Sequence, residues 1–375
     1  MRKLRAIITA MSFFAILFAL LIEQVRPLPR HSVVHGLLRS WVRWASRNFD
    51  AGKRQHGWIA WALAVVLPTL GVWGVYWLLA LWVGWPAAVV FSVGVLYLTL
   101  GFRQFSHHFT TIRDALEAGD EATARQLLAR WQRVDASQLP SSEIVRHVVE
   151  YSVLEAHRHV FGVLLWFSVL AAFGFGPAGA IFFRLSEFVA RYWHGEQAVH
   201  GGTKLPESQM TPLDSQAPDQ SVTDDGLVSP AVQQAAEAAW QVIDWLPART
   251  TAVAFAVVGS FEEAIDCWRN YAQRFPGDND GVILAATSGA VNMRLGGQAL
   301  RTAFSPDSSQ GFQADASLPG YAPGNAASTA NGLPPTTPGR EPEVAHLRSI
   351  VGLVWRSVVL WMVLLALLTL ARLLG

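Results

Sequence analysis

An unbroken apolar stretch at residues 58–102 is the feature that most constrains the fold of this chain. The hydrocarbon core of a bilayer is about 30 Å thick, and a helix needs only about 20 residues to cross it. The stretch is therefore long enough for two crossings. Gly84, Trp85 and Pro86 stand between its two halves and are typical of a turn. We expect a hairpin of two membrane-spanning helices, at residues 58–81 and 86–102.

The composition also favours a membrane location. Hydrophobic residues make up 51% of the chain and charged residues only 15%, and the sixteen tryptophans are typical of membrane interfaces. A net charge of +1 without a basic, aromatic-rich cluster argues against nucleic-acid binding. The single cysteine, Cys267, excludes an intramolecular disulfide and a multi-thiolate metal site. We expect the lipid bilayer as partner, with other membrane proteins as a further option, and no cofactor or metal.

Three further apolar stretches predict more spans. Residues 6–22 follow a basic start, and since no small-residue cleavage site follows them, they favour a membrane anchor over a signal peptide. Residues 160–185 are interrupted at 174–177 by Gly-Phe-Gly-Pro, which indicates either a kinked span or two re-entrant half-helices, and we favour the latter. Residues 350–374 form a terminal span. The chain is thus predicted to be an all-α, polytopic integral membrane protein with about four to six apolar helices.

The stretches between the spans predict amphipathic cytoplasmic helices. Residues 107–134 have helical spacing with a break at Gly119 and Asp120, and Ser141 should cap the helix that follows. The loop at 24–57 holds seven basic residues against Asp50, which places it in the cytoplasm of a bacterial cell by the positive-inside rule, with the chain in the inner membrane. The hairpin then returns the chain to the same side.

Composition divides the chain into six segments. Two of them are rich in Pro, Gly and Ser and are predicted to be mobile linkers. The segments are a membrane anchor, basic loop and hairpin at 1–102, cytoplasmic helices and the interrupted apolar stretch at 103–196, a linker at 197–231, a helical body at 232–301, a linker at 302–345 and a terminal span at 346–375.

Polar residues at helical spacing provide the first candidate site. His147, Tyr151, Glu155 and His159 recur at every fourth position, so they share one face of a helix. Such a face suits either cation or proton binding, or a hydrated interfacial surface that headgroups and neighbouring helices satisfy. We favour the hydrated surface, because zinc requires three or four converging ligands.

Two more sets lie further along the chain. Arg184, Glu187 and Arg191 predict an internal ion pair, with an anion site as the alternative. In the stretch from Asp244 to Arg249, Pro247 should end a helix, which favours a structural hinge over catalysis. No phosphate-binding loop, nucleophile elbow or paired Cys-x-x-Cys occurs, which weakens the case for an enzyme.

Four patches resemble the CobD/CbiB family of membrane proteins, whose founding members make adenosylcobinamide phosphate. The patches are residues 119–125 (Gly-Asp-Glu-Ala-Thr-Ala-Arg), 143–152 (Glu-Ile-Val-Arg and Val-Glu-Tyr-Ser), 244–250 (Asp-Trp-Leu-Pro-Ala-Arg-Thr) and 279–297, which ends in Arg-Leu-Gly-Gly. The resemblance implies a helical membrane protein, with activity in cobalamin synthesis if the synthase motifs are kept.

Several synthase motifs are altered. Asp135 alone remains of a Gly-Arg-Asp-Thr patch, and Glu155 keeps one acid where Tyr151 and His159 replace others. Glu187 lies in a reduced Asn-Thr-Leu-Asp-Ser patch, and a Gly-Asp-Pro…His-Pro motif has no counterpart. A catalyst that needs several acids and amides is not expected to survive these changes.

We therefore predict a divergent, non-catalytic protein with a regulatory or sensing role, similar to the AmpE branch of the family. The alternative is an adenosylcobinamide-phosphate synthase, which joins cobyric acid to an aminopropanol group through an amide bond. The catalytic residues stay unassigned. The residues predicted to form a polar site are Asp135, Glu155, His159, Glu187, Asp244, Arg249 and Asn279.

Overall fold

The computed structural model describes residues 13–23, 33–50, 52–100, 102–132, 135–200, 228–275, 277–297 and 336–374. Within these ranges the regular structure is helical, and β pairing is limited to two isolated bridges. The prediction of an all-α chain is confirmed. The start of the predicted anchor and most of both predicted linkers, at 201–227 and 298–335, lie outside the described residues.

The helices are numbered in chain order. They are α1 Phe13–Glu23, α2 Val33–Phe49, α3 Arg54–Trp82, α4 Trp85–Thr99, α5 Phe102–Glu117, α6 Glu121–Gln132, α7 Ser141–Ala156, α8 Gly162–Ala172, α9 Ala178–His200, α10 Pro230–Val258, α11 Phe261–Tyr271, α12 Asp278–Val291 and α13 Val344–Leu374.

Three helices of the described ranges are long and apolar enough to cross a membrane. They are Arg54–Trp82, Ser141–Ala172 and Val344–Ala371. The predicted spans at 58–81 and 350–374 fall within long helices, whereas the one at 86–102 corresponds to the shorter apolar helix α4. We call Ser141–Ala172 the central helix, which comprises α7, a π-helical turn and α8.

The chain reverses direction after the central helix. Residues 173–177 form a turn, and α9 then returns along α8. Gly179 at the start of α9 lies against the Trp166 carbonyl, and Phe183 further along lies against Gly162. Contact partners thus advance along α9 as they recede along α8, which is the signature of an antiparallel pair. The interrupted stretch at 160–185 is two helices rather than one kinked span.

Pro247 does not end a helix, so that prediction is wrong. It lies inside the 29-residue helix α10. A proline inside a helix removes the N–H that would bond the carbonyl four residues earlier. Here that carbonyl belongs to Ile243, and the indole Nε1–H of Trp166 donates to it at 3.0 Å. A tertiary contact therefore replaces the lost helical bond.

Pro68 in α3 is accommodated in the same way. Its missing N–H leaves the Ala64 carbonyl without a helical partner, and Trp41 Nε1–H donates to that oxygen at 3.4 Å. Both internal prolines of the described helices are thus matched by a tryptophan from another helix.

Of two predicted helix boundaries in residues 107–141, one is confirmed and the other is wrong. α5 ends at Glu117 and α6 begins at Glu121, and Gly119 between them has φ +77°, which glycine adopts readily. The predicted break is therefore present. Ser141, by contrast, is the first helical residue of α7, and Pro140 occupies the N-cap position without a side-chain cap. The prediction that Ser141 caps α7 is wrong.

The described end of the second predicted linker is structured. Thr336 and Arg340 form isolated bridges with Gly296 and Met293. The Ser288 hydroxyl donates to Thr337 Oγ1 at 2.6 Å, and both side chains are buried. These bonds join the segment before α13 to the end of α12.

The chain divides into two compact units. The larger contains residues 1–30, 69–184 and 241–375, and the smaller contains 31–68 and 185–240. The six segments inferred from composition stay predictions.

Candidate functional site

A π-helical turn, His157–Phe161, interrupts the central helix. Single π turns inside α-helices occur frequently at functional sites. Three consecutive basic residues lie in it, and all are buried: His157 is 0% exposed, Arg158 4% and His159 7%. Buried ionisable groups require polar partners, so the contacts of these three side chains define the candidate site.

His157 is held by both ring nitrogens. Nδ1 lies 2.9 Å from Thr251 Oγ1, and Nε2 lies 2.8 Å from Asp244 Oδ1, so two residues of α10 fix the orientation of the ring. Asp244 is fully buried, and among the described residues its Oδ2 atom has no hydrogen-bond partner. This oxygen retains the capacity to accept a proton or a hydrogen bond.

Arg158 forms a buried ion pair with α12. Its Nη2 atom lies 2.6 Å from Asp280 Oδ2, and both side chains are less than a tenth exposed. Glu155 and Asp244 also act on Arg158 electrostatically. Asp280 is in the first turn of α12, where a negative charge is favoured by the helix dipole.

His159 joins the opposite side of the group. Its Nε2 atom lies 2.9 Å from Glu155 Oε2 and 3.4 Å from Nη2 of Arg184, which the α8–α9 reversal brings back to this level. We call these residues the π-turn cluster, which comprises Glu155, His157, Arg158, His159, Arg184, Asp244, Thr251 and Asp280.

A half-buried pair lies at the edge of these segments. Arg249 Nη1 donates to Asn279 Oδ1 at 3.1 Å and to the Trp245 carbonyl at 3.0 Å, and the guanidinium lies 4.2 Å from the centre of the Trp245 ring. Partial burial lowers the pKa of Arg249, while Asp278 and Asp244 counteract that effect. We call Arg249 and Asn279 the rim pair. Arg249 follows Asp244 by about one and a half helical turns, and Asn279 directly precedes Asp280.

A second buried group lies earlier in the central helix. Arg146 binds Glu143 Oε2 at 2.5 Å and Glu150 Oε1 at 3.1 Å, and Glu150 accepts the Gly296 backbone N–H at 2.7 Å. His147 is buried beside Arg146, at 2.8 Å. Glu155 and His159 are also buried against protein, so neighbouring helices satisfy them as expected, whereas the hydration predicted for this stripe is wrong.

The structure unites five of the predicted site residues. Glu155, His159 and Asp244 belong to the π-turn cluster, and Arg249 and Asn279 form the rim pair. Asp135 instead is exposed on the turn before α7, where the Ser137 backbone N–H donates to it at 3.0 Å and lowers its pKa.

Glu187 belongs to the smaller unit, where it pairs with Arg191 on the same helix, as the ion-pair prediction proposed.

His157, Arg158, Thr251 and Asp280 were missed. The signal available in the sequence was the run His157-Arg158-His159 at the start of an apolar stretch, because three adjacent ionisable groups there require buried partners. In the described ranges no set of three or more His, Cys, Asp or Glu side chains is placed to hold a metal ion.

Comparisons with known proteins agree with one another. The family described as CobD/Cbib protein matches residues 12–191. The chain is 27% identical over 362 residues to a protein of Stutzerimonas stutzeri named cobalamin biosynthesis protein CobD, covering 94% of this chain and 96% of that protein. A protein of the same name from Chromobacterium violaceum is 27% identical over 213 residues, covering 56% of this chain and 57% of that protein. No solved structure matches significantly.

These names contradict the prediction of a regulatory or sensing role. Both relatives are named for cobalamin biosynthesis, and one of them matches this chain along almost its entire length. Nothing in the comparisons indicates the AmpE branch. The inference from altered motifs assumed that lost acids are not replaced. The site nevertheless contains the buried carboxylates of Glu155, Asp244 and Asp280. In its matched segment, its full-length relative and its helical fold, the chain is similar to the CobD/CbiB protein family.

Proposed function

We propose that this protein is an amide-forming enzyme of cobalamin biosynthesis, which joins cobyric acid to an aminopropanol group as the synthases of its family do. It acts as a multi-pass protein of the bacterial inner membrane, with the bilayer as its partner. Support comes from the names of the relatives, from the three candidate spans and from the π-turn cluster.

The observation that carries the proposal is the His157–Asp244 pair. Amide formation requires that the carboxylate of cobyric acid first be activated by phosphoryl transfer from a nucleoside triphosphate, so that its oxygen leaves as phosphate. The attacking amine must lose a proton, and a buried carboxylate with one open oxygen is suited to bind an amine N–H and to receive that proton. Asp244 has such an oxygen in Oδ2, and His157 fixes the other one. Asp244 is therefore assigned as the general base, with His157 as its positioning residue.

The rim pair has a separate proposed role. Arg249 is half-buried and carries a planar guanidinium, which forms bidentate hydrogen bonds with carboxylate and phosphate groups. The reacting carboxylate of cobyric acid and the phosphate of the phosphorylated aminopropanol are groups of this kind. Arg249 is assigned to substrate binding rather than to proton transfer.

The test is product formation by purified protein in lipid. Cobyric acid, the phosphorylated aminopropanol and the nucleoside triphosphate that activates the carboxylate are supplied. Mass spectrometry should then detect the amide product. Asp244→Asn, which preserves shape, should lower the rate by about 10²-fold or more at unchanged accumulation. Complementation of a bacterium that lacks its own CobD provides the cellular measurement.

Arg249→Ala separates the two assignments. Because Arg249 is half-buried, its loss should leave accumulation in the membrane normal while weakening substrate binding. Loss of accumulation would identify the rim pair as structural. Absence of product from unaltered, folded protein, together with failed complementation, would overturn the proposed function.

A further inference from the structure

α2 is a basic amphipathic helix. It contains no acidic residue, and its three arginines, Arg39, Arg43 and Arg47, are spaced four apart, so they form one row along the helix. All three are exposed. The row thus presents positive charge over the length of two helical turns.

The two sides of α2 differ in chemistry. Val42 and Ala45 are fully buried, and Trp41 is bonded to the Ala64 carbonyl of α3, so this side packs within the smaller unit. Leu37 and Trp44 flank the arginine row and remain 66% and 45% exposed. The exposed side therefore combines a basic row with an apolar edge.

The acid nearest to the row in the chain is bound to another residue. Asp50 is the one acid between residues 24 and 57, and both of its oxygens bind Ser229, at 2.6 Å and 2.7 Å. Arg43 donates to the Tyr192 hydroxyl at 3.0 Å, which orients its guanidinium. Lys53 and Arg54, both exposed, continue the basic series to the start of α3.

We propose that the exposed face of α2 binds the anionic headgroups of the bilayer that α3 crosses. A cluster of basic residues next to a membrane-spanning helix is attracted to anionic lipid, and this attraction falls as salt is added. Leu37 and Trp44 insert at the boundary between headgroups and hydrocarbon, where tryptophan is favoured. An acidic protein or a nucleic acid would match the charge but leave this apolar edge in water. The inference rests on the proposed membrane location.

The experiment places a nitroxide label on the face itself. In full-length protein with Cys267→Ala, Ser40→Cys carries the label between the arginine row and Trp44, and Leu78→Cys on α3 carries it in a parallel sample. Both positions are exposed. The protein is reconstituted in phosphatidylcholine alone, or with a third of the lipid replaced by phosphatidylglycerol. Collision with a water-soluble nickel chelate and with oxygen is then measured.

Protection of the Ser40→Cys label from the chelate should appear with phosphatidylglycerol and be lost at high salt. The combined variant Arg39→Gln, Arg43→Gln and Arg47→Gln should lose it as well. Arg130→Gln with Arg269→Gln and Arg274→Gln removes the same charge from exposed positions elsewhere and should keep it. The salt measurement does not depend on folding of the variants.

Two outcomes would overturn the proposal. One is equal exposure of the Ser40→Cys label to the chelate in both lipids while the Leu78→Cys label collides with oxygen. In that case α3 is in the membrane, but the position of α2 does not depend on headgroup charge. The other is protection that persists in neutral lipid and high salt, which indicates a protein partner. A Leu78→Cys label exposed to water would instead show that the membrane location itself is wrong.

Discussion

α3 and the central helix both satisfy the criteria for a membrane span, yet they differ in what surrounds them. In the most apolar 18-residue window of each, 17% of α3 is buried within the protein, against 78% of the central helix. After His56, α3 contains no acidic or basic residue, whereas the central helix carries Arg146, Glu150, Glu155 and Arg158 in buried positions. Hydropathy thus identifies two long helices, and only burial and charge separate a lipid-facing helix from one that builds a site.

The contrast teaches where substitutions should matter. On α3, most side chains have solvent or lipid to move into, so a change of shape has little to collide with. On the central helix, Arg146, His157 and Arg158 each have a defined protein partner, and removal of one of these side chains leaves another group buried and unpaired. Paired variants on the two helices should therefore differ in their cost.

The largest effect is expected for Arg158→Ala. The substitution leaves Asp280 as a buried carboxylate without the guanidinium at 2.6 Å, which should cost about 3–5 kcal/mol of stability. Thermal unfolding in detergent measures this loss. Arg158→Met combined with Asp280→Leu removes both charges and should recover much of the stability. An equal loss of stability in the single and double variants would show that the unpaired Asp280 carboxylate is not the cause of the loss.

A smaller loss is expected for Gly179→Ala. A Cβ atom at Gly179 would overlap the Trp166 carbonyl, so α8 and α9 must separate, at about 1–3 kcal/mol. On α3, Gly74 has no atom within 4 Å of such a Cβ, and Gly74→Ala should be neutral or stabilising by up to about 1 kcal/mol through helix propensity. Equal unfolding temperatures for the two variants would contradict the close approach of α9 to α8.

The smallest of the three effects is expected for Trp166→Phe. It removes the indole donor of the Ile243 carbonyl, which should cost about 1–2 kcal/mol beyond the lost ring area. Trp73→Phe on α3 is the matched control, because the buried Nε1 atom of Trp73 has no hydrogen-bond partner among the described residues. The difference in free energy of unfolding between these variants isolates the bond, and a zero difference would remove its role.

The sequence located α3 and α13, because an apolar stretch of about 20 residues is enough to predict a membrane span. It also located the reversal near Gly174 and Pro177 and the break at Gly119, where the residue types limit the backbone. Asp244, Arg249 and Asn279 were found because they lie in short motifs. These features depend on residues close together in the chain.

The features that were missed depend on distant residues. Spacing of four assumes an unbroken α-helix, and the π turn at His157 violates that assumption, so Arg158 was overlooked. The helix through Pro247 requires Trp166, which is separated from Ile243 by 77 positions. The regulatory prediction failed for a related reason: counting motifs in order does not reveal that Asp244 and Asp280 meet the same turn of the central helix.

The two indole-to-carbonyl bonds also bear on the order of assembly. A helix that contains Pro247 has an unsatisfied carbonyl at Ile243 until α8 supplies Trp166, so α10 on its own should be frayed around that point. The bond forms at a single axial register, because neighbouring carbonyls are already taken by their own helix. Trp166 therefore fixes the position of α10 along and around α8. This position determines whether the Asp244 side chain lies opposite His157.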